Sequence, residues 1–169
     1  MESEAHERQF ALRRHLGDTV AEKKFNATLA ENRKARHDFT VLDSIECGIV
    51  LSGTEAKSCR GGSVSLSGSY GAVLHGELWL VGADIAAYKF GNRFNHEPRS
   101  MRKLLVHKKQ IEELRLKTEA KGLTLVPLKM FLKNGRIKLD LGVCRGKQLH
   151  DKRDTLKKKA LRRDMERGS

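Results

Sequence analysis

One stretch constrains this chain more than any other: TLVPLKMFLKNGRIKLDLGVCRG, residues 124–146. Asn134-Gly135 stands between two apolar-patterned runs, the strongest short hairpin signal, and implies a two-residue type I′ turn. Such a turn sets the register. Lys133 faces Arg136, Leu132 faces Ile137, Met130 faces Leu139, Leu128 faces Leu141 and Val126 faces Val143. The eight apolar residues then share one face, while Lys129 lies opposite Asp140 on the other, a favourable cross-strand pair. A slip by one residue would undo both alignments. Pro127 has no N–H to give a ladder, so the strand is expected to lie at an edge or to carry a bulge there.

Other segments extend the β pattern. HDFTVLDS and IECGIVLS read as two short strands separated by turn residues. SYGAVLHGELWLVG reads as a hairpin turning near His75-Gly76. GTEAKSCRGG reads as a helical turn, capped by Thr54 and ended by Gly61-Gly62. HKKQIEELRLKTEAKG has helical spacing, with Ile111, Leu114 and the aliphatic part of Lys117 on one face and Gly122 as the stop. Residues 1–30 carry a weak stripe (Leu12, Leu16, Val20) broken by Gly17, expected to be a poorly ordered extension or a frayed helix. No βαβ alternation is present, which argues against a doubly wound sheet. The expected fold is mainly β. It is a small OB-like antiparallel β-barrel over residues 31–146 with two or three short helices, a partly open Greek-key design. A basic tail follows at 147–169.

Charge narrows the partners. The 169 residues carry a formal net charge of +13 and a pI near 9.9, which points to an anionic polymer or surface. Residues 145–169 alone hold ten Lys or Arg against four Asp or Glu. Three cysteines (Cys47, Cys59, Cys144) without CxxC spacing suggest a reducing compartment and buried thiols rather than a zinc site or a disulfide framework. No apolar run has the length of a membrane span, and MESEAHE is acidic with no apolar h-region. The chain is therefore expected to be soluble, cytoplasmic and monomeric, without cofactor or metal.

Within the domain, positive charge gathers in NRKARHDF (Arg33, Lys34, Arg36, His37), at Lys57 with Arg60, in KFGNRFNHEPRSMRK (Lys89, Arg93, Arg99, Arg102, Lys103) and in HKK (His107, Lys108, Lys109). Cations neutralise phosphates and release counterions, and aromatic faces stack on unpaired bases. Phe90 and Phe94 could equally be core anchors under a solvated loop. With aromatics at only 5% of the chain, recognition of folded RNA by shape and backbone fits better than broad base stacking. No Ser-His-Asp, HExxH or Gly-rich phosphate loop occurs at useful spacing, so an enzyme is not expected.

The tail is a separate problem. Leu149, Leu156, Leu161 and Met165 are its large apolar residues. Full burial of all four would contribute about 6–12 kcal/mol, whereas ordering some sixteen backbones costs about 1–2 kcal/mol per residue. Isolated helices of this length are marginal in water, and Lys157, Lys158 and Lys159 repel Arg162 and Arg163. The free tail is expected to be mostly disordered. Yet Asp151 can cap a helix, Asp154 suits its first turn, and no Gly or Pro lies between Leu156 and Arg167. It is suited to fold on a polyanion.

Several stretches resemble one family, the SsrA-binding proteins (SmpB). They are NRKARHDF, GIVLSGTEAKSCRGG, GNRFNHEPRSMRKLLVHKKQI, KGLTLVPLKMFLKNGRIKLDLGVCRGK and HDKRDTLKKK, in the family's order from about Asn32 to Lys159. The resemblance implies an OB-like barrel that binds the tRNA-like domain of transfer-messenger RNA. It implies trans-translation: delivery of that alanine-charged RNA to the empty A site of a stalled ribosome. The tail would enter the vacant mRNA channel and become helical there. Residue by residue, Glu46, Leu105 and His107 fall on the family's RNA-contacting positions. Arg36 and His37 fall on its basic N-terminal contact segment. His150, Asp151, Lys152 and Arg153 match the tail motif of the decoding centre, with Lys157, Lys158, Lys159, Arg162 and Arg163 continuing the ribosome-binding tail. Arg33, Lys34, Arg93, Arg102, Lys103 and Lys108 complete the expected RNA-binding set. For Glu46 two roles remain: accepting from base amino groups or orienting a neighbouring cation, or a buried, paired structural role. A permanent rRNA-bound OB-type ribosomal component is the alternative to an adaptor.

Overall fold

The computed structural model describes residues 27–147. Among these residues are nine strands: β1 Thr28–Glu31, β2 Phe39–Ile49, β3 Val64–Ser65, β4 Tyr70–Leu74, β5 Glu77–Val81, β6 Asp84–Ile85, β7 Arg102–Leu105, β8 Thr124–Lys133 and β9 Arg136–Gly146. Three helices join them: α1 Arg33–Asp38, α2 Gly53–Arg60 and α3 Lys108–Lys121. All pairings are antiparallel. The main sheet runs β1-β8-β4-β5-β7-β2-β9, and β9 pairs back onto β8, so six strands close into a ring. β1 lies outside that ring on β8, and it begins at Thr28, inside the stretch expected to be an extension. The expected helical stripe at Leu12–Val20 and the whole tail after Lys147 lie outside the described residues.

The ring is mainly β and barrel-like as expected, and it is closed rather than partly open. Its thinnest seam is β4–β8, joined through Gly71 opposite Leu125. A Cβ on Gly71 would lie 2.9 Å from the Leu125 Cβ and 3.3 Å from both Leu141 methyls. Gly71→Ala is therefore expected to cost about 1–3 kcal/mol, the usual range for overpacking, measurable as a lower denaturant midpoint at unchanged slope.

The 134–135 turn is type I′ as expected, with both residues at positive φ, and the register holds from Lys133↔Arg136 to Lys129↔Asp140. Beyond that it shifts. Pro127 faces Leu141 and Val126 faces Gly142, because Leu128 is an extra residue in a bulge. Of the two roles expected at Pro127, the bulge is realised. The edge is not, since β8 has β1, β4 and β9 beside it. The bulge divides the expected single apolar face in two. Leu125, Met130, Leu139, Leu141 and Val143 point into the barrel core with Leu78, Leu80 and Leu104. Val126 and Leu128 turn outward to pack with Cys144, Ala35 of α1 and Phe39.

Asn32 fixes that bulge to α1. Its amide N–H donates to Leu128 O (2.8 Å), its Nδ2 donates to Pro127 O and Leu66 O (3.1 Å each), and its Oδ1 caps the Ala35 N–H. HDFTVLDS and IECGIVLS form one strand, not two. The expected turn becomes a second bulge between Val41 and Asp43, where the Asp43 carboxylate accepts the Ser44 N–H. The 53–60 helix is capped by Ser52 rather than Thr54, in a reciprocal box with Glu55. The His75-Gly76 turn and the Gly122 stop of α3 occur as expected.

All three cysteines are free and buried. Desolvation pushes the Cys47 thiol up to about 12, with Asp140 adding to it, and the Cys59 thiol up to about 11. They behave as small apolar residues.

Candidate nucleic-acid interface

Strand alternation decides which expected contacts face out. Gly48 of β2 pairs with Leu105 of β7, and Glu46 lies two residues away on the same face. A Cβ at Gly48 would be 3.1 Å from the Leu105 Cβ, so glycine leaves room for Leu105, which is 50% exposed. On the other side of β2, Lys138 of β9 faces Gly48. Lys133 Nζ donates to Glu46 at 2.7 Å and Lys138 lies at 3.8 Å. The Lys133 hydrogen bond, with the charges of both lysines, holds the Glu46 carboxyl below its ordinary value against the opposing effect of desolvation. The Glu46 side chain is 39% exposed. Its expected buried role is thus overturned, and its pairing with cations is retained.

Beside this pair a cleft of about 340 Å³ is lined by Leu105, Ile49, Leu51 and Ile137, with Arg60, Arg136 and Lys138 at its polar rim. The Arg60 guanidinium donates to Gly135 O at 3.2 Å, tying α2 to the hairpin turn. Arg60 was visible only as a basic residue beside Lys57, Lys133 and Arg136 only as a facing pair in the hairpin register, and Lys138 was not singled out. The alternation around Asn134-Gly135 already placed Arg136 and Lys138 on the face opposite the core, and that signal could have found them.

The remaining expected residues fall into separate places. His107 is exposed and precedes α3, its N–H accepted by Gln110; Lys108 opens the helix. Lys103 is ion-paired with Glu77 on the outer face of β7. Arg33, Lys34, Arg36 and His37 are exposed on α1, with His37 Nδ1 3.0 Å from Asp38. Lys147 closes onto the same helix: its N–H donates to Asp38 O and its Nζ to Arg36 O, both at 3.0 Å. The basic helix and the root of the tail are therefore one locality.

Arg102 is a correction. It is 3% exposed and points inward. Its Nε donates to Glu55 Oε1 at 2.8 Å, and its terminal nitrogens donate to the carbonyls of Ala83, Glu97, Pro98 and Ser100. A guanidinium so enclosed cannot reach a phosphate. It ties α2 to the 86–101 loop. Phe90 and Phe94 of that loop are not core anchors: they are 81% and 79% exposed. Arg93 stands 5.1 Å over the Phe94 ring. His150 to Arg163 lie outside the described residues. Among the described residues no cluster of His, Cys, Asp or Glu is arranged to hold a metal ion, and no helix is long and apolar enough to cross a membrane.

A closed β-barrel with an acid–base pair, an apolar cleft and several cationic groups on its outer face defines a small basic barrel protein built to meet a polyanion. A family model described as "SmpB protein" matches residues 29–169, and the chain belongs to that family. It is 55% identical over 148 residues to the SsrA-binding protein of Staphylococcus saprophyticus, covering 88% of this chain and 96% of the relative. The Staphylococcus aureus SsrA-binding protein is 54% identical with the same coverage. A solved chain described as "tmRNA-SmpB: a journey to the center of the bacterial ribosome" superposes with a TM-score of 0.61. It is 45% identical, over 75% of this chain and 93% of that one.

Proposed function

We propose that this protein is a non-catalytic, cytoplasmic RNA-binding adaptor of ribosome rescue. It binds the tRNA-like domain of transfer-messenger RNA and delivers it to the empty A site of stalled ribosomes, with residues 148–169 entering the vacant mRNA channel. The observation that carries the reading is the outer-face cleft: Leu105 flanked by Glu46, Arg60, Arg136 and Lys138, in a chain that shares about half its residues with SsrA-binding proteins. Leu105 offers a half-exposed apolar surface to a base or sugar. The cations take phosphates, and Glu46, kept ionised by two lysines, can accept from base amino groups.

Binding of transfer-messenger RNA should fall about 10³–10⁵-fold between 50 and 200 mM salt if six to ten phosphates are neutralised. Arg136→Ala and Lys138→Ala should each lower the slope of log Kd against log salt by about one. Leu105→Ala should weaken binding at unchanged slope. A flat salt response, or retention on ribosomes through a high-salt wash in the absence of transfer-messenger RNA, would contradict the adaptor reading.

A further inference from the structure

The 86–101 loop joins β6 to β7 and holds the two most exposed large apolar side chains among the described residues, Phe90 and Phe94. The loop is tied at many points. Asn95 Oδ1 accepts the N–H groups of Tyr88 and His96 (3.1 Å each), and Asn95 Nδ2 donates to Tyr88 O at 2.8 Å. Gly91 N–H reaches the same carbonyl at 2.8 Å. A Cβ at Gly91 would lie 2.4 Å from Asn95 Nδ2, so the turn is as tight as glycine allows. The His96 ring lies 3.0 Å from both Thr54 Oγ1 and Ile85 O, and Arg102 gathers three of the loop's carbonyls together with that of Ala83. A frame held this closely yet carrying two rings into water is organised for a ligand rather than for its own core.

The chemistry around the rings selects the ligand. From Ala86 to His96 there are two cations, Lys89 and Arg93, and no carboxylate. Lys57 of α2 stands 5.3 Å over Tyr88, which meets Phe90 edge to face at 5.8 Å. Phe94 thus carries a positive charge on its own ring, and Phe90 meets the ring that carries Lys57. An apolar protein groove would desolvate those cations without return, whereas a nucleotide offers a flat base and a phosphate together. The position fits as well. Lys57 and Arg60 lie one helical turn apart on α2, and Arg60 lines the Leu105 cleft. The loop and the cleft flank the same helix.

We propose that residues 88–94 form a second RNA site, distinct from the Leu105 cleft. Phe90 and Phe94 stack on unpaired bases, and Lys57, Lys89 and Arg93 hold the adjoining phosphates. The proposal rests on RNA being this protein's ligand, and not on which residues of the cleft touch it.

The test uses the full chain with transfer-messenger RNA and with a short unstructured RNA carrying 2-aminopurine. Phe90→Ala/Phe94→Ala should weaken binding about tenfold or more and abolish fluorescence quenching of the 2-aminopurine, with the salt slope unchanged. Phe90→Trp/Phe94→Trp should retain both. Phe90→Leu/Phe94→Leu, equally apolar but without a π face, should not. Lys57→Ala/Lys89→Ala/Arg93→Ala should lower the salt slope by about two. Wild-type affinity and quenching in the leucine variant would overturn the proposal. So would an alanine variant that binds RNA normally and loses only a protein contact. Leu105→Ala separates the two readings: if it weakens binding while the loop variants are silent, only the second site fails, whereas wild-type protein that binds neither RNA, or binds without salt dependence, overturns the RNA reading and the second site with it.

Discussion

Arg102→Met is expected to destabilise the barrel by about 3–5 kcal/mol, the range for removing one partner of a buried ion pair, and to lower Tm by roughly 10–20 °C. The cost has two sources. Glu55, 6% exposed, keeps its charge inside without its cationic partner, with Ser52 still donating to it through its N–H at 2.7 Å. Four carbonyls lose the guanidinium: those of Ala83 and Ser100, and those of Glu97 and Pro98, which keep Ser100 and the Ile85 N–H as donors. Arg102→Lys should recover little, because a point-like ammonium cannot reach five acceptors arranged about a planar fork. The double variant Glu55→Gln/Arg102→Met should be less destabilised than the two single changes added together, since it leaves no unpaired charge. Acid probes the same pair. Burial by itself would raise the Glu55 carboxyl, but the Ser52 N–H and the Arg102 guanidinium hold it below its ordinary value. A depressed folded pKa gives stability that is fully present above the unfolded value, about 4.3, and lost as pH falls through the folded one. Wild type should therefore lose stability on acidification below about pH 5. Glu55→Gln should show a shallower loss. Equal pH profiles for the two proteins would remove Glu55 from the account.

The contrast between Arg102 and Lys103 shows where sequence ceases to inform. Both sit in one basic run, SMRKLL, and composition gives them the same prospect of meeting a phosphate. Strand alternation sends one to the inner side and the other outward, but which is which depends on Glu55, forty-seven residues earlier. The hairpin was legible for a local reason: Asn134-Gly135 specifies both turn and register. It ceased to be legible at Leu128, where the bulge is held by Asn32 from a distant part of the chain. The same bulge turns Val126 and Leu128 onto α1, so the position of the basic helix could not be read from the hairpin pattern alone. Glu46 and Leu105 were found through family resemblance. Alternation around Asn134-Gly135 puts Arg136 and Lys138 on the outer face, but their place beside Glu46 and Leu105 follows from the pairings of β2 with β9 and β7, which sequence spacing does not show.

Deletion of residues 148–169 should abolish tagging of stalled peptides while leaving transfer-messenger RNA affinity within a few-fold of wild type. The cut spares Lys147, so the two hydrogen bonds from that residue to α1 are kept, and every residue of the Leu105 cleft remains. What is lost is eight Lys or Arg against four Asp or Glu. A general electrostatic contribution would vanish with them, and the few-fold decline should therefore shrink as salt rises. Charge and helix-forming capacity can be separated. A scrambled 148–169 segment of the same composition keeps the net charge and disrupts both HDKR and the helix-capping position expected at Asp151. It should restore solution affinity without restoring tagging. Ala160→Pro leaves the charge and the HDKR motif untouched but costs a helix about 3 kcal/mol. If the segment folds in the channel, tagging should fall by about a hundredfold at saturating RNA. Tagging by the proline variant at the wild-type rate would show that the tail acts in extended form. Loss of RNA affinity together with tagging on simple deletion would instead place part of the RNA site in the tail, and the division between a binding barrel and a probing tail would not stand.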